Sequence, residues 1–171
     1  MLSYLEYRTA AIYHATDEAL RPLDRVQDSF LEALGITPKE AILDYNLAPL
    51  STRRDIAMLG VIYRSVRGGG PSQMTSFFKP DTERIRNRRH AWPLKTFRRG
   101  LNDWTVLERS VLGLIDVWNM LPVGAVLQPC VSSFQGYLQE MVKHCEHDEW
   151  KTLLSPRHCV CLHPLLSEPS L

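Results

Sequence analysis

A run of three glycines followed by a proline, at positions 68–71, constrains the fold of this 171-residue chain more than any other feature. Neither a helix nor a strand tolerates such a run, so regular structure must end there. Apolar residues recur at helical spacing on both sides of it, and no convincing alternating strand pattern occurs. The sequence therefore predicts a mainly α fold. We expect a small irregular helical domain with a long basic central loop that contains glycine and proline.

Before the glycines, two amphipathic helices are predicted, with a short one between them. In the first helix, Pro22 suits the first turn and Gly35 follows the last apolar residue as a C′ glycine. Thr37 and Glu40 form a capping box that begins the short helix. Ser51 is the predicted N-cap of the next helix. The predicted apolar stripes are Leu20, Leu23, Val26, Phe30, Leu31 and Leu34, and then Ile56, Leu59, Ile62, Tyr63 and Val66.

After the glycines, helical patterns resume near residue 108. One stripe ends at Pro122, which cannot continue a helix. A last helix follows, with Ser132 or Ser133 as its cap. The residues that mark these two helices are Val111, Leu114, Ile115, Trp118 and Leu121, and then Phe134, Leu138 and Met141.

These patterns divide the chain into four parts. Residues 1–67 are the N-terminal helical part, in which residues 2–14 could form a further helix. Residues 68–105 are the basic irregular loop, expected to be exposed. Residues 106–154 are the C-terminal helical part, and residues 155–171, with three prolines, are a loose tail.

Composition indicates a globular protein that remains inside the cell. Its 44% apolar share is enough for a core. No apolar run approaches the roughly 20 residues needed to span a bilayer, and the N-terminus lacks the order of a signal peptide. The cysteines Cys130, Cys145, Cys159 and Cys161 are expected as thiols in a reducing compartment. An intracellular protein without a membrane partner follows, and neither nucleus nor cytoplasm is favoured.

Charge is sorted along the chain, although the net charge is only +1. Residues 1–60 carry six basic and nine acidic side chains, a net of −3. Residues 61–100 carry ten basic and two acidic side chains, a net of +8. Residues 101–171 carry four and eight, a net of −4. A positive centre between acidic ends favours a polyanionic partner for that centre.

The positive charge is densest in residues 84–100, which hold six arginines, one lysine and no acidic residue. Contacts from Lys and Arg to phosphates dominate nucleic-acid affinity through the release of counterions. His90, Trp92 and Phe97 lie among the charges, and bases stack on such rings in proteins that bind single strands. The alternative is a solvated basic loop that binds nothing in particular. The candidate nucleic-acid-binding residues are Arg84, Arg86, Arg88, Arg89, Trp92, Lys95, Arg98 and Arg99.

Histidines and cysteines near the C-terminus raise the question of a zinc site. Structural zinc sites usually place two to four residues between paired ligands. Here the gaps are zero or one, although an extended chain would place Cys159, Cys161 and His163 on one side. We interpret these residues as incidental and assign no metal or cofactor, and chelation stays open as the alternative. They are His144, Cys145, His147, His158, Cys159, Cys161 and His163.

Motifs of catalysis are missing from the sequence. It has no Gly-x-Ser-x-Gly, and the run at 68–71 lacks the Gly-Lys-Ser/Thr of a phosphate-binding loop. It also has no Asp-Asp or Asp-x-Asp pair of the kind that holds two metal ions for phosphoryl transfer. No catalytic residue is predicted.

Several short motifs occur in a defined order. Leu23–Gln27 reads Leu-Asp-Arg-Val-Gln, and Leu47–Leu50 reads Leu-Ala-Pro-Leu with two arginines soon after it. Trp118–Pro122 reads Trp-Asn-Met-Leu-Pro, and Ser133–Gln135 with Leu138 follows ten residues later. Together these motifs resemble the C-terminal, post-palm region of non-LTR (LINE-type) retrotransposon reverse transcriptases. In that family a Leu-Asp-x-x-Gln helix follows the polymerase core, and a Trp/Tyr-Asn-x-Leu-Pro segment precedes a Phe-x-x-x-Leu helix.

The resemblance spans about residues 3–166 and implies a role without catalysis. The family consists of RNA-directed DNA polymerases with a Tyr/Phe-x-Asp-Asp box, which this sequence does not contain. Its post-palm segment contributes thumb-like helices that help to hold the template–primer. The resemblance therefore implies a fragment whose partners are RNA or DNA and the polymerase core of the parent element.

The motif residues themselves are expected to act structurally. Asp24 and Gln27 should cap or bridge neighbouring helices. Trp118 and Leu121 should pack in the core, and Pro122 should end a helix. We therefore place the binding function in the basic loop and the supporting function in the helices.

A rival interpretation belongs to another class. The chain would be a helical protein-interaction or structural protein without a nucleic-acid role. Its acidic ends and exposed apolar residues, among them Phe77 and Phe78, would then form the contact surface. Neither interpretation predicts an oligomeric state.

Overall fold

The computed structural model describes residues 9–82, 91–96, 107 and 109–144. Over these residues the chain is mainly helical and has no strand, which confirms the predicted fold class. No helix among them is long and apolar enough to cross a bilayer. The helices are α1 (Thr9–Ile12), α2 (Asp17–Ala33), α3 (Pro38–Leu43), α4 (Leu50–Val66) and α5 (Ser72–Thr75), then a 3₁₀ turn (Val111–Leu114), α6 (Ile115–Met120), α7 (Val123–Val126) and α8 (Val131–His144).

Helix α2 begins earlier than the apolar stripe indicated. Its N-cap is Thr16, whose hydroxyl accepts a hydrogen bond from the Ala19 N–H at 3.3 Å. Two acidic residues fill the first turn, where the helix dipole favours negative charge. The prediction that Pro22 lies in the first turn was wrong, because a polar turn precedes the first apolar residue. The predicted end is confirmed, since Gly35 has a φ of +66°.

The capping box of α3 is confirmed. The Thr37 hydroxyl accepts from the Glu40 N–H at 3.3 Å, and Glu40 accepts from the Thr37 N–H at 2.8 Å. The predicted serine caps of the longer helices were wrong. Pro49 precedes α4, and Cys130 precedes α8, with its sulfur accepting from the Ser133 N–H at 3.4 Å. Both helices therefore begin just before the predicted caps.

Helix α4 lies at the centre of the fold and contacts α1, α2, α5, α8 and the 3₁₀ turn. Its buried face, with Leu59 and Ile62 fully enclosed, is the one the stripe predicted. The Tyr63 ring stacks on the Phe134 ring of α8 at a centroid distance of 4.7 Å. Trp118 of α6 approaches the same Phe134 ring at 5.9 Å. The helices on the two sides of the glycine run thus share one hydrophobic core.

The stripe of α2 is only partly buried. Leu20 and Leu31 lie in the interior, together with Gln27. Val26, Phe30 and Leu34 are exposed, with Leu34 at 55%. The expectation of one continuous buried stripe was therefore wrong. The buried side of α2 is shifted toward its polar motif residues, which contact α4 and the turn before it.

The described part of the central segment is not irregular throughout, since it contains α5, and it is not exposed throughout. Phe78 and Leu94 are only 4% and 1% exposed and belong to the core. Phe77 is exposed at 52%, so the expectation for the aromatic pair holds for Phe77 and was wrong for Phe78. An isolated antiparallel bridge joins Pro80 to Leu94. The reason for the difference is that apolar side chains within the segment pack against the helical core.

Candidate nucleic-acid interface

Of the eight candidate binding residues, two lie in the described ranges. Trp92 is half-buried and Lys95 is exposed. The arginines of the group, Arg84, Arg86, Arg88, Arg89, Arg98 and Arg99, lie outside the described residues, and their role stays a prediction. The described part of the candidate interface therefore consists of the segments that carry Trp92 and Lys95 and of their contacts.

Residues 79–81 pair with residues 93–95, which lie within the basic stretch 84–100. The Asp81 N–H donates to the Pro93 carbonyl at 2.8 Å, and the Lys95 N–H donates to the Lys79 carbonyl at 2.9 Å. Lys79 and Lys95 thus lie at opposite positions of an antiparallel pair, and both are exposed. Like charges at opposite positions repel each other. A bound anion would relieve that repulsion.

Helix α6 holds the Trp92–Leu94 segment by three hydrogen bonds. The Asn119 side chain accepts from the Leu94 N–H at 2.7 Å and donates to the Leu94 carbonyl at 2.8 Å. The Trp118 indole N–H donates to the Trp92 carbonyl at 2.8 Å. These bonds satisfy polar groups at the edge of the core, where an unpaired group would be costly. We call these contacts of Trp118 and Asn119 the backbone clamp.

The backbone clamp explains most of the Trp118–Pro122 motif. Trp118 and Leu121 are buried, as predicted, and α6 ends at Met120, just before the proline. The contribution of Asn119 was missed by sequence reasoning. A single amide has no periodic signal, and only its position beside a buried tryptophan could have drawn attention to it.

Arg67 brings a further cation to the Trp92 side chain. It directly follows α4, and its guanidinium carbon lies 5.0 Å from the centre of the Trp92 ring and 5.5 Å from that of the Tyr63 ring. Such cation–π contacts stabilise by about 0.5–1 kcal/mol at exposed sites. The guanidinium is exposed, so its N–H donors remain accessible to solvent.

We call Arg67, Lys79, Trp92 and Lys95 the basic cluster. No ion pair joins its three cations to an acidic residue of the described ranges. Asp81 is the acidic residue within the paired segments, and its side chain is half-buried. The cluster combines exposed cations with an aromatic ring, which is the combination that single-strand binders use. Sequence reasoning identified Trp92 and Lys95 and missed Arg67, which lies before the glycines.

Arg54 has a different role from the residues of the basic cluster. Its guanidinium donates two hydrogen bonds to Asp24, at 2.7 and 3.1 Å, and its side chain is 4% exposed. Gln27 donates to the Ala48 carbonyl at 3.1 Å. The expectation that these residues cap or bridge neighbouring helices is confirmed for Asp24, whereas Gln27 contacts the turn before α4. The Leu23–Gln27 motif and the segment that opens α4 therefore form one contact.

His, Cys, Asp and Glu side chains are the metal ligands to consider among the described residues. No group of three or more His, Cys, Asp or Glu among them could hold a metal ion. From Cys145 onward the Cys/His tail lies outside the described residues, so its zinc chemistry stays untested. Cys130 is an exposed thiol whose pKa is lowered by hydrogen bonds from the Ser133 hydroxyl and backbone N–H. Its geometry is that of a helix cap.

A cavity of about 710 Å³ lies between α1, α4 and α8. Its lining is largely apolar, with His14 and Arg64 among the polar residues that border it. It brings together no acid–base pair and no nucleophile activated by a base. The cavity therefore does not indicate an enzyme active site.

No family model, no curated protein and no solved structure matches the chain. The function is therefore inferred from the basic cluster, from the backbone clamp and from the contacts between the motifs.

Proposed function

We propose that the chain is a non-catalytic helical fragment of a reverse transcriptase of the non-LTR retrotransposon type, and that it binds RNA or DNA through its basic centre. The observation that carries the proposal is the net charge of +8 in residues 61–100, next to segments that the core holds in place. Phosphates would contact the cations, and a base would stack near Trp92. The helices would act as the support.

Contacts between the motifs support the proposal. Gln27 of the first motif binds Ala48 of the second motif. Asp24 of the first motif binds Arg54, which follows the second motif. Trp118 and Asn119 of the third motif bind the backbone of Trp92 and Leu94, within the basic residues 84–100. The motifs thus belong to one folded unit, in which a helical frame carries the cationic segment.

Binding is tested by fluorescence anisotropy with labelled single-stranded RNA, single-stranded DNA and an RNA–DNA duplex. We expect binding at low salt. The logarithm of the binding constant should fall linearly with the logarithm of the salt concentration, because each phosphate contact releases counterions. Lys95→Gln should weaken binding and reduce the salt slope by about 0.7 on a single strand. Lys39→Gln, which removes the same charge from exposed helix α3, is the matched control. Absence of binding at low salt would reject the activity.

A second candidate function rests on a specific observation. Val26, Phe30 and Leu34 are exposed at helical spacing on α2 and form an apolar row. Such rows are often contact sites for another protein. In that case a nuclease-treated pull-down should retain a protein partner, and Phe30→Ser should release it. If the partner is the polymerase core of the parent element, both functions would belong to one assembly.

A further inference from the structure

We propose that Asn119 is a positioning residue for nucleic-acid binding. By holding both backbone polar groups of Leu94, it would fix Trp92 and Lys95 in register with Arg67 and Lys79. The inference rests on the proposed function, because it states how the basic cluster is kept ready for a polyanion. It gives the Trp-Asn-x-Leu-Pro segment a role beyond packing.

The geometry of the clamp supports this role. Asn119 makes its two bonds at 2.7 and 2.8 Å, and each uses a different atom of the amide. Leu94 is fully buried beside it, so the segment cannot slide without exposing that side chain. The Trp118 bond at 2.8 Å fixes the segment at a second point, the Trp92 carbonyl. Together they restrain the segment in both position and direction.

Residues on both sides of the clamped Leu94 belong to the basic cluster. Lys95 follows Leu94 and is paired through its N–H with Lys79. Trp92 lies two residues before Leu94, and its ring is in contact with Arg67. The hydrogen bonds to Leu94 therefore restrain the backbone that carries both Lys95, which lies opposite Lys79, and Trp92, whose ring contacts Arg67.

The physical value of the clamp is pre-organisation. Two lysines at opposite positions repel, so the cluster would tend to separate unless other contacts held it. Fixing a residue's backbone costs about 1–2 kcal/mol, and a flexible segment pays this cost when it binds. A segment that is already fixed does not pay this cost on binding. Its affinity is therefore higher, by about tenfold for one residue. The number of phosphate contacts stays the same.

The test compares wild type with Asn119→Ala, using a labelled oligouridine strand over a range of salt concentrations. We expect binding about tenfold weaker with an unchanged salt slope, since the charges remain. Exchange of the Leu94 amide with solvent, followed by NMR, should become faster. Gln128→Ala is the matched control, because its amide donates only to the Gly124 carbonyl nearby. It should leave the binding of the strand and the Leu94 exchange rate as in wild type.

The outcomes separate this inference from the proposed function. If wild type shows a protected Leu94 amide and no binding, the proposed function fails and the positioning role fails with it. If Asn119→Ala exposes the Leu94 amide and binds as tightly as wild type, only the positioning role is overturned. A lower salt slope in Asn119→Ala would also overturn it, because phosphate contacts would then be lost.

A second variant covers the case in which Asn119→Ala does not fold. Trp118→Phe keeps an aromatic ring in the core and removes the indole N–H that donates to the Trp92 carbonyl, together with part of the ring volume. It should weaken binding in the same direction, again with an unchanged salt slope. Circular dichroism and the unfolding midpoint establish that each variant is folded under the binding conditions. Wild-type affinity in a folded Trp118→Phe would contradict the proposal.

Discussion

Arg54 lies in α4 and Arg67 directly follows it, and the two guanidinium groups have different environments. Arg54 is buried and bound to Asp24, and a buried charge without such a partner would be strongly unfavourable. Arg67 is exposed above two aromatic rings and has no acidic partner among the residues described. At the scale of single residues, a buried cation such as Arg54 stabilises the fold, and an exposed cation such as Arg67 is accessible to an external anion.

The Arg54–Asp24 pair gives a first prediction. Asp24→Ala leaves a buried guanidinium without its carboxylate, so the free energy of unfolding should fall by about 3 kcal/mol. Urea denaturation measures this loss. Glu140→Ala, which removes the exposed partner of Lys143, should cost no more than about 0.5 kcal/mol. Equal losses in the two variants would contradict the assignment of Arg54 to the interior.

The capping box of α3 gives a prediction about pH. Hydrogen bonds from the Thr37 backbone and hydroxyl hold the pKa of Glu40 below its ordinary value. A lowered pKa in the folded state means that the carboxylate stabilises the fold fully above its unfolded pKa of about 4.3. This contribution is lost as the pH falls through the folded pKa.

Glu40→Gln should therefore be less stable than wild type near neutral pH, and the difference should shrink as the pH falls into the acid range. Unfolding midpoints measured across that range check the prediction. Thr37→Ser keeps both the hydroxyl and the backbone bond to Glu40, so it should follow the wild-type curve. A difference between Glu40→Gln and wild type that does not change with pH would rule the explanation out.

At the scale of elements, the buried face of α4, the end of α2 and the start of α3 could be predicted from the sequence, and the first residues of α4 and α8 could not. The periodicity of Leu59, Ile62 and Tyr63 identified the buried face of α4, because packing follows the 3.6-residue repeat. The first residues of α4 and α8 were misplaced, since a serine nearby suggested a cap that the backbone does not use. On α2 the polar contacts of Asp24 and Gln27 determine which side is buried.

The turn after α4 gives an element-scale prediction. A Cβ on Gly70 would lie 2.5 Å from the Ser65 hydroxyl oxygen and 2.7 Å from the Ser65 Cα, so the backbone would have to move. Gly70→Ala should cost about 1–3 kcal/mol in unfolding free energy, as overpacking typically does. Gly69→Ala, where the nearest atom lies at 3.4 Å, is the control and should be close to neutral. Equal stability of the two variants would contradict this packing.

For the molecule as a whole, the sequence predicted a cationic centre on a helical frame, and it predicted neither the Arg67 contact nor the backbone clamp. Charge and composition are visible without a structure. Arg67 and Trp92 meet only because the glycine run and the paired segments turn the chain back on α4. Asn119 and Leu94 are likewise distant in sequence, and a lone amide gives no pattern to read.

The shared core gives a prediction for the whole chain. Leu59, Ile62 and Tyr63 pack with Trp118 and Phe134, which follow the central segment. A fragment of residues 1–67 would expose that apolar face to water. We expect it to show no cooperative thermal unfolding by circular dichroism, whereas the full chain should unfold in one transition. A fragment that melts cooperatively would show that the N-terminal helices form a domain of their own.

The central claim is that a polynucleotide lies against the basic cluster, and photo-crosslinking tests it most directly. A single strand that carries thiouridine is irradiated with the full chain at low salt, and the crosslinked peptides are mapped by mass spectrometry. The account predicts crosslinks in the peptides that contain Arg67 and Trp92, and their loss at high salt. Crosslinks confined to the apolar row of α2, or an equal yield at high salt, would contradict it.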